Sequence, residues 1–372
     1  MRDAASRWAL GLMSGTSLDG VDAALILTDG ETVEDFGPTL FRAYTDAERA
    51  VLRAALQDGA TIARRDDRPG RVGEAERIVT AAHAAAVANL VAVAAAEGIA
   101  PAVIGFHGQT VFHAPERRLT VQIGDGPALA AASGLPVVYD FRAADVAAGG
   151  QGAPLVPVYH RALAERAGLG RPAAILNVGG VANVTLIDGA GEMLAFDTGP
   201  GNALIDDCVG RETGARFDQG GSIAAEGVVN EAIVGMFLAH PFFAAAPPKS
   251  LDRMAFHGLA EAELAALSFA DRVATLTAVT AATVAAGLAA AAEPVRSVVV
   301  AGGGARNATL MTMLAARTGA AVATADSVGM AGDFVEAQAF GYLAVRCLRG
   351  LPGSYPGTTG VPVATVGGVV AG

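Results

Sequence analysis

The residues most suited to chemistry in this sequence are small polar groups on glycine turns, aspartates beside such turns, and an arginine–histidine set. The run Ser14, Gly15, Thr16, Ser17, Leu18, Asp19, Gly20, Val21, Asp22 offers two glycines and three hydroxyls, enough N–H and O–H donors to wrap an anion. Asp19 and Asp22 add the one or two carboxylates that a hydrated Mg²⁺ uses alongside phosphate. A plain hairpin turn is the other reading, but it needs the glycines and not four consecutive small polar residues. Asn177, Gly179 and Gly180 form a second glycine turn. Gly302, Gly303 and Gly304 with Asn307 form a third, where a flat group such as adenosine can lie on bare backbone. Each alone reads equally as a tight turn, while three in one chain point to a nucleotide.

Asp197 ends an apolar stretch and opens the turn Asp-Thr-Gly-Pro-Gly-Asn. Asn202 is placed to cap the following helix, which leaves Asp197 for general-base work. Arg142, between Asp140 and Asp145 and before a glycine-rich run, reads either as a bidentate ligand for a sugar or carboxylate or as an inter-domain salt bridge. His107 and His113 match no zinc spacing. Lys249 and Arg253 read as phosphate-facing or as solvated charge. There is no Walker-type phosphate loop and no serine nucleophile elbow.

Alternation and turn residues predict strands at 9–13 and 21–27 on either side of the first loop, a strand–loop–strand unit and so not a Rossmann fingerprint. Further strands are expected at 102–106, 120–123, 137–141, 173–178, 181–187, 193–196 and 297–301. Helices are expected at 46–56, 71–97, 127–133, 157–167, 203–209, within 224–238 and 261–292, and at 309–316 and 334–348, followed by a loop-like tail. A glycine-turn hairpin opens each half, at 9–27 and 173–187. The chain therefore reads as a duplicated α/β architecture, domains 1–157 and 158–372, with ligands where the glycine loops face a cleft.

A chain of 372 residues with 52% hydrophobic content has ample material for two cores. A net charge of −11 excludes a general nucleic-acid binder, and no basic helix-turn-helix precedes residue 9. Cys208 and Cys347 form no CxxC or zinc pattern, and no signal peptide is expected, so the reading is cytoplasmic. The mean hydropathy of +0.42 raises the question of membranes. The uncharged segments 78–96 and 273–292 are alanine-rich and carry Thr80, His83 and Asn89, and Thr275, Thr277, Thr280 and Thr283. They are expected to be buried helices of a soluble protein, with no membrane partner.

The run GLMSGTSLDGVDAAL (11–25) closely resembles the N-terminal signature of 1,6-anhydro-N-acetylmuramic acid kinases. HGQT (107–110), TVQIGDGPALA (120–130), DFRAADVAAGGQGAPLVP (140–157), LNVGG (176–180), FDTGPGN (196–202), GGGARN (302–307) and EAQAFGYLA (336–344) follow in the family's order. The resemblance implies an α/β fold of two ribonuclease-H-like domains, of the actin and sugar-kinase ATPase type, flanking a nucleotide cleft. It also implies ATP and Mg²⁺ as cofactors. It carries phosphate binding onto the 15–22 loop, with Asp19 and Asp22 toward the metal, and catalysis onto Asp197 as base. His107, Gln109, Arg142 and Asp145 would line the sugar pocket, and a homodimer is the assembly the family suggests. The implied reaction opens the anhydro bridge with water and phosphorylates O6, giving N-acetylmuramic acid 6-phosphate and ADP in peptidoglycan recycling. The rival readings are a simple hydroxyl kinase for another sugar, an ATP-gated binding protein of the actin or Hsp70 branch, and a sugar-responsive repressor. The chain departs from the family's usual Pro-Lys-Ser-Thr-Gly-Arg-Glu at Leu251, Asp252 and Met254. It departs again at Val181-Ala182, where a hydroxyl before Asn183 is expected.

Overall fold

The computed structural model describes residues 5–15, 17–330 and 332–372. It divides the chain into two compact units, Met1–Arg166 with Phe334–Gly372, and Ala167–Asp333. Compared with a cut after residue 157, the helix Pro157–Arg166 stays with the first unit, and the chain from Phe334 onward returns to it. Packing explains the return: Tyr159 of that helix donates a buried hydrogen bond to Gln338 Oε1 (2.9 Å) and its ring lies 5.3 Å from that of Tyr342.

The strands of the first unit are β1 (Arg7–Met13), β2 (Gly20–Thr28), β3 (Val33–Ala43), β4 (Val103–Phe106), β5 (Gln109–Ala114), β6 (Leu119–Ile123) and β7 (Val137–Tyr139). Those of the second are β8 (Ala173–Val178), β9 (Val181–Ile187), β10 (Met193–Pro200), β11 (Ser297–Ala301) and β12 (Ala321–Thr324). The terminal β13 (Val369–Ala371) joins the first unit on β7. The first sheet runs β13-β7-β4-β1-β2-β3 and the second β10-β9-β8-β11-β12. In each, three antiparallel strands form a meander, and two parallel strands extend from its first member. This is the ribonuclease-H-like order, twice, so the fold is the duplicated α/β one expected from the paired hairpins.

β3 was not legible in the sequence because Gly37 and Pro38 interrupt its alternation. The interruption falls at a bulge, where the pairs Ala24–Thr39 and Ile26–Phe36 bracket the two residues, on the edge strand where a missing N–H is tolerated. β5, β12 and β13 are also additional to the expected set. They are short, and each is fixed by its partner strand more than by its own pattern.

The sheet faces divide the labour. Leu10 and Leu12 of β1 point into a core shared with Val79, Ala82, Ala86 and Leu90 of the helix Val72–Ala96. That helix is long and apolar enough to cross a membrane by length and composition, yet this stripe of it is core. On the other face, the helix Val335–Arg349 lies directly on β1 and β4. A Cβ on Gly11 would meet Ala337 O at 1.8 Å, and one on Gly105 would meet Phe340 O at 1.9 Å. The EAQAFGYLA motif is thus largely a packing surface. In the second unit, the helix expected within 261–292 breaks into His257–Leu264 and Phe269–Leu288, with Ser268 capping the latter. Its buried threonines are satisfied by carbonyls: Thr277 donates to Val273 O (2.8 Å) and Thr280 to Gly201 O (3.1 Å).

Candidate active site

The first loop joins β1 to β2 and is held from beneath. Buried Ser14 donates to Gln109 Oε1 (2.7 Å) and lies 3.0 Å from Tyr44 Oη, so Gln109 holds the base of the loop. Burial pushes the Tyr44 hydroxyl up to about 12. Leu18 is buried with φ +55°, a left-handed backbone unusual for a leucine and characteristic of functional loops. Leu18 and Val21 are therefore anchors in the core, and of the two residues between them Asp19 is exposed while Gly20 is buried at the start of β2. Exposed Ser17 donates to Asp19 Oδ1 (2.7 Å), as does Gly20 N–H (3.0 Å), and Oδ2 of the exposed Asp19 accepts from nothing among the described residues. Asp22 lies on β2, opposite Met13 and Phe41. Thr16 lies outside the described residues.

The predicted glycines fall into two groups when a Cβ is imagined on each. Gly20, Gly302 and Gly304 are required by packing: the Cβ would meet Arg42 O at 2.4 Å, Asn177 Oδ1 at 2.5 Å and Val178 Cβ at 2.5 Å. Gly15, Gly179, Gly180 and Gly303 are not. Their nearest neighbours would lie at 3.8, 3.7, 3.7 and 3.5 Å, with no left-handed backbone. Among the described residues nothing in the packing asks for glycine there, and at these four places glycine leaves the backbone bare.

A polar network occupies the ends of β4 and β7. His107 is buried, with Nδ1 2.8 Å from Gly108 O, so Nδ1 carries the proton and Nε2 accepts from Arg142 Nε (3.1 Å). Burial, then the Arg142 charge, holds His107 well below its ordinary range and keeps it neutral. Arg142 Nη1 donates to Gly152 O (2.8 Å), and burial brings its guanidinium down to about 10. Its Nη2 has no partner among the described residues. Asp145 is fully engaged, accepting from Gly152 N–H (2.6 Å) and Thr359 Oγ1 (2.6 Å), and so secures the glycine-rich loop to the C-terminal segment. Asp140 pairs with Arg65 (2.5 Å). The sequence reading did not single out Glu336, whose carboxyl is raised by burial, with the Arg142 charge opposing in part. The signal available was an acid in the first turn of a helix whose middle is apolar.

In the second unit, Asp197 does not end a strand. β10 continues to Pro200, and a bulge between Asp197 and Gly199 re-aims the backbone. Burial raises the carboxyl above its usual range, and the Leu251 N–H donating to Oδ2 (2.7 Å) partly offsets this. Oδ1 accepts from nothing among the described residues. Asn202 makes no side-chain cap: its Nδ2 donates to Val178 O (3.0 Å), tying the turn after β10 to the end of β8. Asn307 does cap, accepting from Leu310 N–H (2.9 Å), which accounts for it structurally. Asn177 stands at the end of β8 opposite Asn183 and Ala301. Lys249 is partly exposed and pairs with no carboxylate among the described residues: Nζ donates to Phe242 O (2.9 Å) and lies 4.6 Å from that ring. Arg253 stands exposed beside Gly180 and 3.7 Å from Asp207. Among the described residues no cluster of three metal-ligating side chains forms.

A family model described as "Anhydro-N-acetylmuramic acid kinase" matches residues 7–371. An anhydro-N-acetylmuramic acid kinase of Rhodopseudomonas palustris (strain BisB18) is 56% identical over 367 residues, covering 98% of this chain and 99% of its own. One of Bradyrhizobium diazoefficiens is 55% identical over 364 residues, covering 98% of each. Among solved structures, a xylulose kinase from Rhodospirillum rubrum aligns with 91% of this chain and 90% of its own at a TM-score of 0.48 and 12% identity.

Proposed function

The chain belongs to the anhydro-N-acetylmuramic acid kinase family, and from that premise we propose how its residues divide the work. It is a phosphotransferase of peptidoglycan recycling, converting 1,6-anhydro-N-acetylmuramic acid, water and ATP to N-acetylmuramic acid 6-phosphate and ADP. The substrate has no free O6, so the bridge must open as the phosphoryl group is transferred.

Asp197 is the base. Its Oδ1 takes a proton from water as the water oxygen bonds to the anomeric carbon. The bond from that carbon to O6 breaks, and O6 forms its new bond to the γ-phosphorus as ADP departs. Because phosphorus receives the leaving oxygen, no second carboxyl is needed to protonate it, unlike in an ordinary glycosidase. Attack from the face opposite O6 inverts the anomeric carbon. The observation that carries this reading is the asymmetry of the Asp197 carboxylate: one oxygen is gripped by a backbone N–H and the other is unengaged, in a setting that raises its basicity.

ATP phosphates are assigned to the loop with Gly15 and Ser17, and the other glycine-lined backbone to Gly179, Gly180 and Gly303. The donor set fits: these four glycines are unexplained by packing. Asp19, exposed and with one oxygen unengaged among the described residues, and Asp22 are the candidates for Mg²⁺, which when bound neutralises phosphate charge. Arg142, through its unpartnered Nη2, and His107 are assigned to the sugar, with Gln109 and Asp145 holding the loops on which they depend. A cytoplasmic location and a homodimer complete the proposal on the family resemblance, and both cysteines are free thiols.

The test is turnover of 1,6-anhydro-N-acetylmuramic acid with ATP and Mg²⁺ in ¹⁸O-water, read by mass spectrometry. The expected product carries one solvent oxygen at the anomeric position. Absence of that label, or activity only on a free sugar, would replace the reading with a simple hydroxyl kinase.

A further inference from the structure

We infer that Lys249 is a positioning residue for Asp197, pinning the strap of residues 246–251 whose backbone grips that aspartate. The inference rests on the reading of Asp197 as base and deepens it. The strap meets β10 at Asp197. Asp197 N–H donates to Lys249 O (2.9 Å), and Leu251 N–H donates to Asp197 Oδ2 (2.7 Å). Beside its pairing with Asn183 of β9, Asp197 is thus held through both its backbone N–H and its carboxylate by one short segment.

Lys249 anchors that segment. Ala244, Ala245 and Ala246 are exposed and offer little to hold it, and Pro248 and Ser250 on either side of Lys249 are exposed too. The Lys249 side chain folds back, with Nζ donating to Phe242 O (2.9 Å) and Phe243 O (3.4 Å) and lying 4.6 and 5.9 Å from the two ring centroids. No carboxylate pairs with it among the described residues. An ammonium over aromatic faces gains attraction without a counter-ion. The phenylalanines are themselves fixed: Phe243 stacks on Phe256 at 5.6 Å, and Phe256 stacks on Phe237 at 5.9 Å, both of these deep in the core. The path from core to carboxylate is therefore continuous, through Phe256, Phe243, Lys249 and the strap backbone.

The arrangement also explains why the departure at Leu251 is tolerated. The contact to Asp197 comes from the amide of residue 251, so a leucine serves as well as the family's threonine, while its side chain packs on the helical core. Among the described residues no charged side chain hydrogen-bonds or ion-pairs with the Asp197 carboxyl, which burial raises and this amide lowers.

The experiment compares Lys249→Met, Lys249→Arg and the native enzyme in full-length form, measuring kcat, KM for ATP and the pH profile of kcat. Lys249→Met should lower kcat by about 10–100-fold, the scale of a small misplacement, with KM for ATP unchanged. Its acid limb should move to higher pH, because the loosened Leu251 N–H no longer favours the ionised carboxylate. Lys249→Arg should restore most of kcat, since a guanidinium can donate to both carbonyls and stack on the rings. Native kcat in Lys249→Met overturns the inference, as does a loss that Lys249→Arg does not relieve or that leaves the acid limb in place. If Lys249→Met does not fold, Phe243→Leu keeps the carbonyl and removes the ring; a smaller kcat loss with the same limb shift is expected, and native behaviour overturns the inference. Asp197→Asn tests the base separately: substantial turnover there would remove that reading whatever the Lys249 variants do.

Discussion

The two units share one sheet order and treat their polar groups in opposite ways. In the first, His107, Arg142, Asp145 and Gln109 are bonded to one another, to backbone or to the Ser14 and Thr359 hydroxyls, and what is left over is Arg142 Nη2 and the Glu336 carboxyl, which burial also raises but Arg142 opposes. In the second, Asp197 and Asp206 are carboxylates that the fold leaves short of partners and pushes up by burial, Asp206 to about 6. The first arrangement suits holding a ligand, because satisfied groups stay where they are placed. The second suits moving a proton, because a carboxylate raised toward neutrality is a better base at working pH. A strand order fixes where loops emerge, and the loops decide what chemistry emerges with them.

The sharpest way to break the comparison is Asp197→Asn. It should cut kcat by about 10²–10⁴-fold while calorimetric ATP binding stays close to native. Near-native turnover would mean that the proton acceptor belongs elsewhere, and the contrast between units would lose its functional meaning. Next in size is a pair of glycine replacements. Gly11→Ala should destabilise the first unit by about 1–3 kcal/mol or more, because its Cβ would collide with the Ala337 carbonyl. Gly180→Ala, with its nearest neighbour at 3.7 Å, should leave the melting temperature nearly unchanged and raise KM for ATP. Equal effects on stability would erase the distinction between packing glycines and ligand-facing ones.

The smallest expected effect concerns Asp206. Burial, then the neighbouring Asp207, raises its carboxyl, and Arg253 opposes them. Between the ordinary value near 3.8 and about 6, the folded chain keeps a proton that the unfolded chain has lost, so this group takes stability away as pH rises through that window. Asp206→Asn should therefore raise the melting temperature at pH 7 and leave it unchanged near pH 3.5. A gain of the same size at both pH values would assign the effect to packing.

Much of the site was legible in the residues. The glycine loops, the aspartate before the Thr-Gly-Pro-Gly turn and the paired hairpins are short-range patterns, and their identities restrict local conformation strongly enough to be read from the chain. The long motifs carried the family for the same reason. The structure corrected readings that depended on distant partners. Asp197 lies at a bulge inside β10, because pairing with β9 continues past it. Asn202 ties two strands instead of capping a helix, because Val178 O is within its reach. Asp145 is bound by the C-terminal segment, more than two hundred residues later in the chain. Lys249, which reads from the sequence as phosphate-facing or as solvated charge, donates to two phenylalanine carbonyls.

The sequence by itself determined which residues could do this chemistry, because donor type, carboxylate and bare backbone are properties of the residues themselves. Only the tertiary structure decided which of them remain available. A polar group engaged by a partner from another strand, strap or tail has its bonding capacity spent, and no local pattern records where that partner comes from.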